Sequence, residues 1–333
     1  MSFRNPQSAG PPAAGSGDLI ADRRFSYAMM LAEGGDAEGA LSVLDQALEI
    51  APGWAAGWCV RADLAERAGL RSEAVAALRR AAGLDPDDLM GAGLRLAALG
   101  AVPVPDAMPQ AYVRTLFDQY APRFDRALVE GLDYAAPWHL RDLLCGWLAE
   151  RGRDRFARVL DLGCGTGLLG EALRGSVSWL EGIDLSPGML AEAAAKGVYD
   201  RVVEGDAVAV LSGERETCDL VAAADVLGYL GDLSAVFLAA ARALVPGGLF
   251  AASAERYDGA GYMLGPGLRF AHSQAYLQAC AATAGLTVAA TAQVRLRSER
   301  GEPVDGLILL AGKPAVAAAT GDVLARVDEP EAP

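Results

Sequence analysis

A run of glycines and four aspartates carry the chemistry that can be read from this chain. The glycines lie in Asp161-Leu162-Gly163-Cys164-Gly165-Thr166-Gly167-Leu168-Leu169-Gly170. Glycine at alternating positions lets a backbone turn sharply and approach a ligand without Cβ clashes. Apolar residues then resume at helical spacing, at Leu168, Leu169, Ala172 and Leu173. A helix starting there directs its first N–H groups toward whatever lies over the glycines. Gly165-x-Gly167-x-x-Gly170 is a literal match to the dinucleotide fingerprint, but the acids around it suit a different ligand. Asp161, two residues before the first glycine, would repel a pyrophosphate and pair with an ammonium group. Asp184 ends the next apolar run, where a carboxylate accepts from ribose hydroxyls, a device that NAD enzymes also use. Glu204-Gly205-Asp206-Ala207 closes a third run with an acid placed to accept from an adenine amino group. Together they suit a nucleoside carrying positive charge rather than a diphosphate.

These residues need a parallel sheet to hold them side by side. The sequence predicts strands over 158–162, 178–183, 201–204, 219–224, 248–253, 287–297 and 306–312. It predicts helices over 167–174, 187–196, 233–244 and 273–284. Such alternation implies an α/β domain with helices on both faces of the sheet. The last two strands have no helix between them and should pair antiparallel at one side.

The region before the sheet is helical. Ala40, Leu44, Ala47 and Pro52 recur as Ala74, Leu78, Ala81 and Pro86 at a period of 34 residues. Small alanines allow close helix packing, and the prolines end helices. This resembles the tetratricopeptide repeat, with two repeats at about 21–54 and 55–88 and a solvating helix at 89–99. Trp58 stands where that pattern favours Trp, but Arg61-Ala62 replaces its usual Leu-Gly. Two repeats bury little by themselves, so the module is expected to lean on the rest of the chain, on a second copy or on a protein partner. The expected organisation is a disordered tail at 1–17, a helical-repeat domain at 18–100 and a Pro-rich linker at 101–110. A helical lid at 111–152, the sheet domain at 153–314 and a loose tail at 315–333 follow.

Composition narrows the function. The 333-residue chain is 52% hydrophobic, enough for a large core, and its net charge of −14 argues against nucleic acid or an anionic membrane as partner. No apolar run is long enough to span a bilayer, and Met1–Gly17 lacks the apolar segment of a secretion signal. The five cysteines are scattered without a CxxC, which fits a reduced cytoplasmic setting. Cysteine and histidine never cluster, so no metal site is expected.

Five motifs in order make residues 155–312 resemble the class I S-adenosylmethionine-dependent methyltransferases. They are Val159–Gly167, Gly182–Leu190, Gly205-Asp206-Ala207, Cys218–Leu227 and Leu244-Val245-Pro246-Gly247-Gly248. With the repeat module, the Leu116–Ala121 helix and Leu268–Ser273, the chain resembles a bacterial subfamily carrying an N-terminal tetratricopeptide module. The resemblance implies a Rossmann-like, seven-stranded domain and S-adenosylmethionine as cofactor. It implies that Gly163, Gly165 and Gly167 contact the methionine part, with Asp161 near its amino group. Asp184 would take the ribose hydroxyls, Leu185 and Met189 would flank the adenine, and Asp206 and Ala207 would receive its polar edge. Asp225 would face the reaction centre or the methionyl end.

For the acceptor side, His272, Tyr120 and Tyr229 are the candidate catalytic residues, with Arg269 as a partner for a substrate carboxylate. His139 is expected to be a half-buried helix residue. Tyr112, Phe117, Tyr120 and Phe124 recur at roughly helical spacing, as either a lid core or a wall around the sulfonium. Tyr257 and Tyr262 sit in a glycine-rich loop expected to move over the pocket.

The leading expectation is methyl transfer to an O or N atom of a small-molecule acceptor. Alternatives are a protein methyltransferase that docks its target on the repeats, a non-catalytic scaffold that binds the cofactor, and a nicotinamide dehydrogenase.

Overall fold

A computed structural model describes residues 15–126, 128, 131–265, 267–299 and 301–315. The expected tails lie outside these residues, except Gly15–Gly17 and Ala315. Ser16 is tied back by bonds from its N and Oγ to Asp22 Oδ1, at 2.8 and 2.7 Å.

Five helices come first: α1 (Leu19–Glu33), α2 (Ala37–Ile50), α3 (Ala55–Arg67), α4 (Arg71–Leu84) and α5 (Ala92–Ala98). They form two antiparallel pairs with a short closing helix. The repeated small residues make this possible: Ala28, Ala40, Ala47, Ala62, Ala74 and Ala81 are all fully buried and bring the helix backbones close. Leu44 and Leu78, equivalent by the repeat, fill the centre of this separate core. Asp18 and Asp36 cap α1 and α2 through their side chains.

Two helices follow, α6 (Gln110–Tyr120) and α7 (Ala136–Ala149). The sheet domain then runs β1 (Phe156–Leu162), α8 (Leu168–Leu173), β2 (Val177–Asp184), α9 (Pro187–Lys196), β3 (Arg201–Glu204), α10 (Ala207–Ser212) and β4 (Cys218–Ala223). It continues with α11 (Ser234–Ala243), β5 (Leu244–Arg256), β6 (Tyr262–Leu264), β7 (Phe270–His272), α12 (Gln274–Thr283), β8 (Thr287–Glu299) and β9 (Glu302–Gly312). Strands β3, β2, β1, β4 and β5 lie side by side and parallel. β9 then pairs antiparallel with β5, and β8 with β9. This is the expected antiparallel pair.

Among the described residues the sheet has nine strands, not seven. The extra two, β6 and β7, hang from the C-terminal end of β5, where Glu255 and Arg256 pair with Ala271 and His272. Each is three residues long, too short to show alternation among the glycines of that stretch. The expected moving loop is therefore in part a hairpin. Tyr262 packs beside Phe270, His272 and Tyr276, and its hydroxyl reaches Asp106 Oδ1 at 3.2 Å.

The segment expected to be one lid divides. Helix α7 buries Ala136, Leu140, Leu144 and Leu148 every fourth residue against β1, β2, β4, β5 and β9. Each of those leucines contributes roughly 1.5–3 kcal/mol, so α7 is a covering layer of the sheet. Of this segment, α6 and the turn after it reach over the open end, with Tyr134 and Pro137 around the start of α7 meeting the edge of that end. The proline-rich stretch before α6 is more than a spacer. Asp106 O accepts from Gly231 N and Asp232 N at 2.8 and 2.9 Å, and Met108 N donates to Tyr229 O at 3.0 Å. The closing helix α5 packs on α6 through Leu94, Ala97, Tyr112 and Leu116, which joins the helical module to the lid.

Candidate functional site

At the C-terminal ends of β1, β2, β3 and β4 lies a cavity of about 430 Å³, roofed by α6 and the turn after it. This is where parallel α/β sheets place ligands. Its floor is the turn after β1. Gly163 and Gly165 have φ of +57° and +54°. A Cβ on Gly163 would lie 2.4 Å from Val226 Cγ2, so only glycine lets the β1 and β4 ends meet there.

Asp161 is 1% exposed and lines the cavity. Tyr199 donates to its Oδ2 at 2.6 Å, while Oδ1 is buried with no hydrogen-bond partner. Burial pushes its carboxyl up to about 7, against the bond from Tyr199 and helped by nearby Asp184. Asp184 is held by two backbone donors, Gly165 N to Oδ2 at 2.9 Å and Ser186 N to Oδ1 at 2.8 Å. Burial raises it as well, opposed by those bonds. Asp206 caps α10 through Ala209 N at 2.8 Å and accepts from Gln110 Nε2 of the lid at 3.0 Å.

Of the residues expected to hold a nucleoside, Asp161, Gly163, Gly165, Asp184, Leu185, Asp206, Ala207 and Asp225 line the cavity. Gly167 and Met189 do not. Gly167, at φ +93°, makes the turn into α8 against Tyr199. Met189 is 1% exposed, because Ser186 caps α9 and turns its first residues inward.

Of the acceptor-side candidates, only Tyr229 lines the cavity. His272 is fully buried. Its Nε2 donates to Leu230 O at 2.9 Å, its ring stacks on Tyr276, and burial lowers it to about 4. It is a neutral fastener of the turn after β4, because β7 directs both Phe270 and His272 inward. Tyr120 is half-buried in the cluster joining α5, α6 and the β6–β7 hairpin, outside the cavity wall. Phe117 and Phe124 reach the cavity; Tyr112 stays in that same cluster. His139 is half-buried, with Nε2 on Arg295 O at 3.2 Å.

Arg269 is not placed to meet a substrate carboxylate. It is 4% exposed and pairs with Asp225 and Glu255, donates to the Tyr229 hydroxyl, and lies 4.7 Å from that ring's centre. Arg297 joins the same buried network through Glu255 and Glu299, both at 2.7 Å. Burial raises Asp225 despite these two guanidiniums, whereas they overcome burial at Glu255 and hold it low. Arg297 gave no sequence signal, since it sits among alternating charges that read as a solvated strand.

Sequence reasoning also missed the lid fasteners. Asp118 accepts from Ser186 Oγ and from Gly188 N, the latter at 3.1 Å. Thr166 donates to Asp125, which also pairs with Lys196 at 2.7 Å. Arg114 pairs with Glu204. These links bridge stretches far apart in the chain, which no local pattern reports. Among the described residues, no group of three or more His, Cys, Asp or Glu could hold a metal ion. No helix among them is long and apolar enough to cross a membrane.

A methyltransferase-domain family model matches residues 160–252. Human methyltransferase-like protein 27 is 41% identical over 87 residues, covering 26% of this chain and 34% of its own. The ubiquinone biosynthesis O-methyltransferase of Methylocella silvestris is 36% identical over 156 residues, covering 40% of this chain and 60% of its own. The chain thus spans less than two thirds of the length of these curated relatives. The solved structure of the cyclase SpnF superposes with a TM-score of 0.51 at 20% identity, over 64% of this chain and 98% of that one. Magnesium protoporphyrin IX methyltransferase from Synechocystis, solved with bound SAH, gives 0.48 at 22% identity, over 61% and 99%. The sheet domain has the Rossmann-like methyltransferase fold.

Proposed function

We propose that this chain is an S-adenosylmethionine-dependent methyltransferase acting on an O or N atom of a small-molecule acceptor. The observation that carries the reading is Asp161. One oxygen of a buried carboxylate has no partner at the floor of the cavity, and such an atom calls for a donor, best a cationic one. The ammonium end of the cofactor supplies that donor, whereas a pyrophosphate would meet repulsion. Asp184 is pre-oriented by its two backbone donors for a diol, and Leu185, Ala207 and Val208 offer an apolar slot for a flat base.

When bound, the cofactor supplies a sulfonium-activated methyl group. The protein's part is then to bind, orient and exclude water. Phe117, Phe124, Leu128, Tyr134 and Pro137 make much of the remaining wall apolar, with Asp106 and Asp232 also on it. Among the described residues no Lys, Arg or His lines the cavity. An anionic acceptor would find no counter-charge, so the acceptor is neutral or cationic. Tyr229 stays a neutral phenol, because burial, the largest influence, raises its pKa against the opposing Arg269. It orients rather than removes a proton, and Asp225 beside it is the carboxylate available to receive one from an O–H or N–H acceptor.

Calorimetry with S-adenosylmethionine, S-adenosylhomocysteine and NAD tests the cofactor assignment. Binding of both sulfur nucleosides and not NAD is expected. Asp184→Ala, losing up to two charge-assisted bonds, should weaken binding roughly 100-fold or more. Binding of NAD alone would overturn the reading. Methylation of extract with labelled cofactor should then place the label in small molecules.

A second reading has a specific observation behind it. Leu19, Ile20, Tyr27 and Met30 are at least half exposed on α1, which suits docking of a target protein on a tetratricopeptide module. Label in protein, lost on Leu19→Asp with Met30→Asp, would favour it.

A further inference from the structure

Tyr199 lies in the turn between α9 and β3, a stretch without motif character. Its hydroxyl donates to Asp161 Oδ2 at 2.6 Å. Its ring occupies a notch that exists only because three positions lack a side chain. A Cβ would lie 3.0 Å from the Tyr199 ring at Gly167, 2.5 Å at Gly170 and 3.0 Å at Gly182. These glycines come from the β1–α8 turn, α8 and β2, so the phenol is gripped from three elements. Two of them belong to the glycine run that reads in sequence as a ligand loop, and here they face Tyr199. Asp161 in turn is held at one oxygen and has the other buried and unpartnered.

Resting on the cofactor reading above, we infer that Tyr199 is a positioning residue. It fixes one oxygen of Asp161 so that the other stays directed to the ammonium end of an S-adenosyl amino acid. The groups that face Asp161 are Tyr199 itself, Asp184 from β2 and the Cys164 thiol. Burial and Asp184 favour the protonated acid, and the Tyr199 bond favours the carboxylate. Burial and Asp161 keep the phenol protonated, so it stays a donor. Removing the hydroxyl therefore has two effects. It frees the carboxylate to turn, and it raises the pH at which Asp161 ionises and can hold an ammonium group.

The test is calorimetry on the full chain with two probes. S-adenosylhomocysteine carries the ammonium end, and 5′-methylthioadenosine carries the same nucleoside without it. In Tyr199→Phe, affinity for S-adenosylhomocysteine should fall about tenfold at pH 7, the worth of one bond to a charged group. The pH below which binding is lost should move up, and the methylthioadenosine affinity should stay unchanged. In an Asp161→Asn background the same substitution should add nothing. Equal weakening of both probes, or an unmoved pH profile, would leave Tyr199 a packing residue and overturn the inference. Failure of wild-type protein to bind either probe would instead remove the cofactor reading, and this inference with it.

Discussion

Replacing Asp161 with Asn should make the ligand-free protein gain stability relative to wild type as pH rises, while weakening its hold on the cofactor. In the unfolded chain this carboxyl ionises near 3.8; buried at the cavity floor it does so at about 7. Between those values the native state keeps a proton that the unfolded state has lost, so stability falls as pH rises through that window. Each pH unit of the difference is worth about 1.4 kcal/mol. The penalty is therefore about 2 kcal/mol at pH 5 and about 4 kcal/mol at pH 8. Asparagine never ionises. It can still accept from Tyr199, and the fixed cost of burying its amide is the same at both pH values. The stability of Asp161→Asn relative to wild type should thus rise by about 2–3 kcal/mol from pH 5 to pH 8. At roughly 2–4 °C per kcal/mol for a domain of this size, that is a change of about 5–10 °C in the Tm difference. Thermal scans of both proteins at the two pH values measure it, and added S-adenosylhomocysteine should raise the wild-type Tm more than that of the variant. A Tm difference independent of pH would refute the reasoning, because it would mean that Asp161 is ionised over the whole range and is not the destabilised acid described here.

Gly170→Ala places a Cβ 2.5 Å from Tyr199 Cζ. It should cost about 1–3 kcal/mol in urea denaturation and weaken S-adenosylhomocysteine binding by shifting the phenol off Asp161. Arg269→Met leaves Asp225 and Glu255 with less counter-charge in a buried site, and a loss of about 3–5 kcal/mol in the same assay is expected. A smaller loss when Asp225→Asn is added would show that the charges act as one network. Asp118→Ala removes the acceptor that ties α6 to the start of α9. Stopped-flow measurement should find S-adenosylhomocysteine leaving several-fold faster, and the loss of two bonds at about 1 kcal/mol each should lower Tm by several degrees.

The sequence by itself determined the parts whose physics is local. Alternating apolar runs and helical spacing marked every strand of the parallel sheet, because strand and helix periods are properties of consecutive residues. Each of these runs ended in or beside an acid, which placed Asp161, Asp184, Asp206 and Asp225 toward one end of a parallel sheet, while the order β3-β2-β1-β4 across it is a tertiary result. The 34-residue spacing of Ala40 and Ala74 marked the helical pairs, since small residues at fixed intervals are what close helix packing requires. Tertiary structure decided what no window of the chain contains. It put Arg269, read from the sequence as a partner for a substrate carboxylate, in a buried network with Arg297, Asp225 and Glu255. It turned His272 away from the cavity and onto a backbone carbonyl. It also gave the glycine run a second purpose. Gly163 and Gly165 shape the floor of the site, but Gly167 and Gly170 make room for a tyrosine that is distant in sequence. A glycine says only that a side chain would not fit, and which neighbour forbids it is fixed by the packing of the whole sheet.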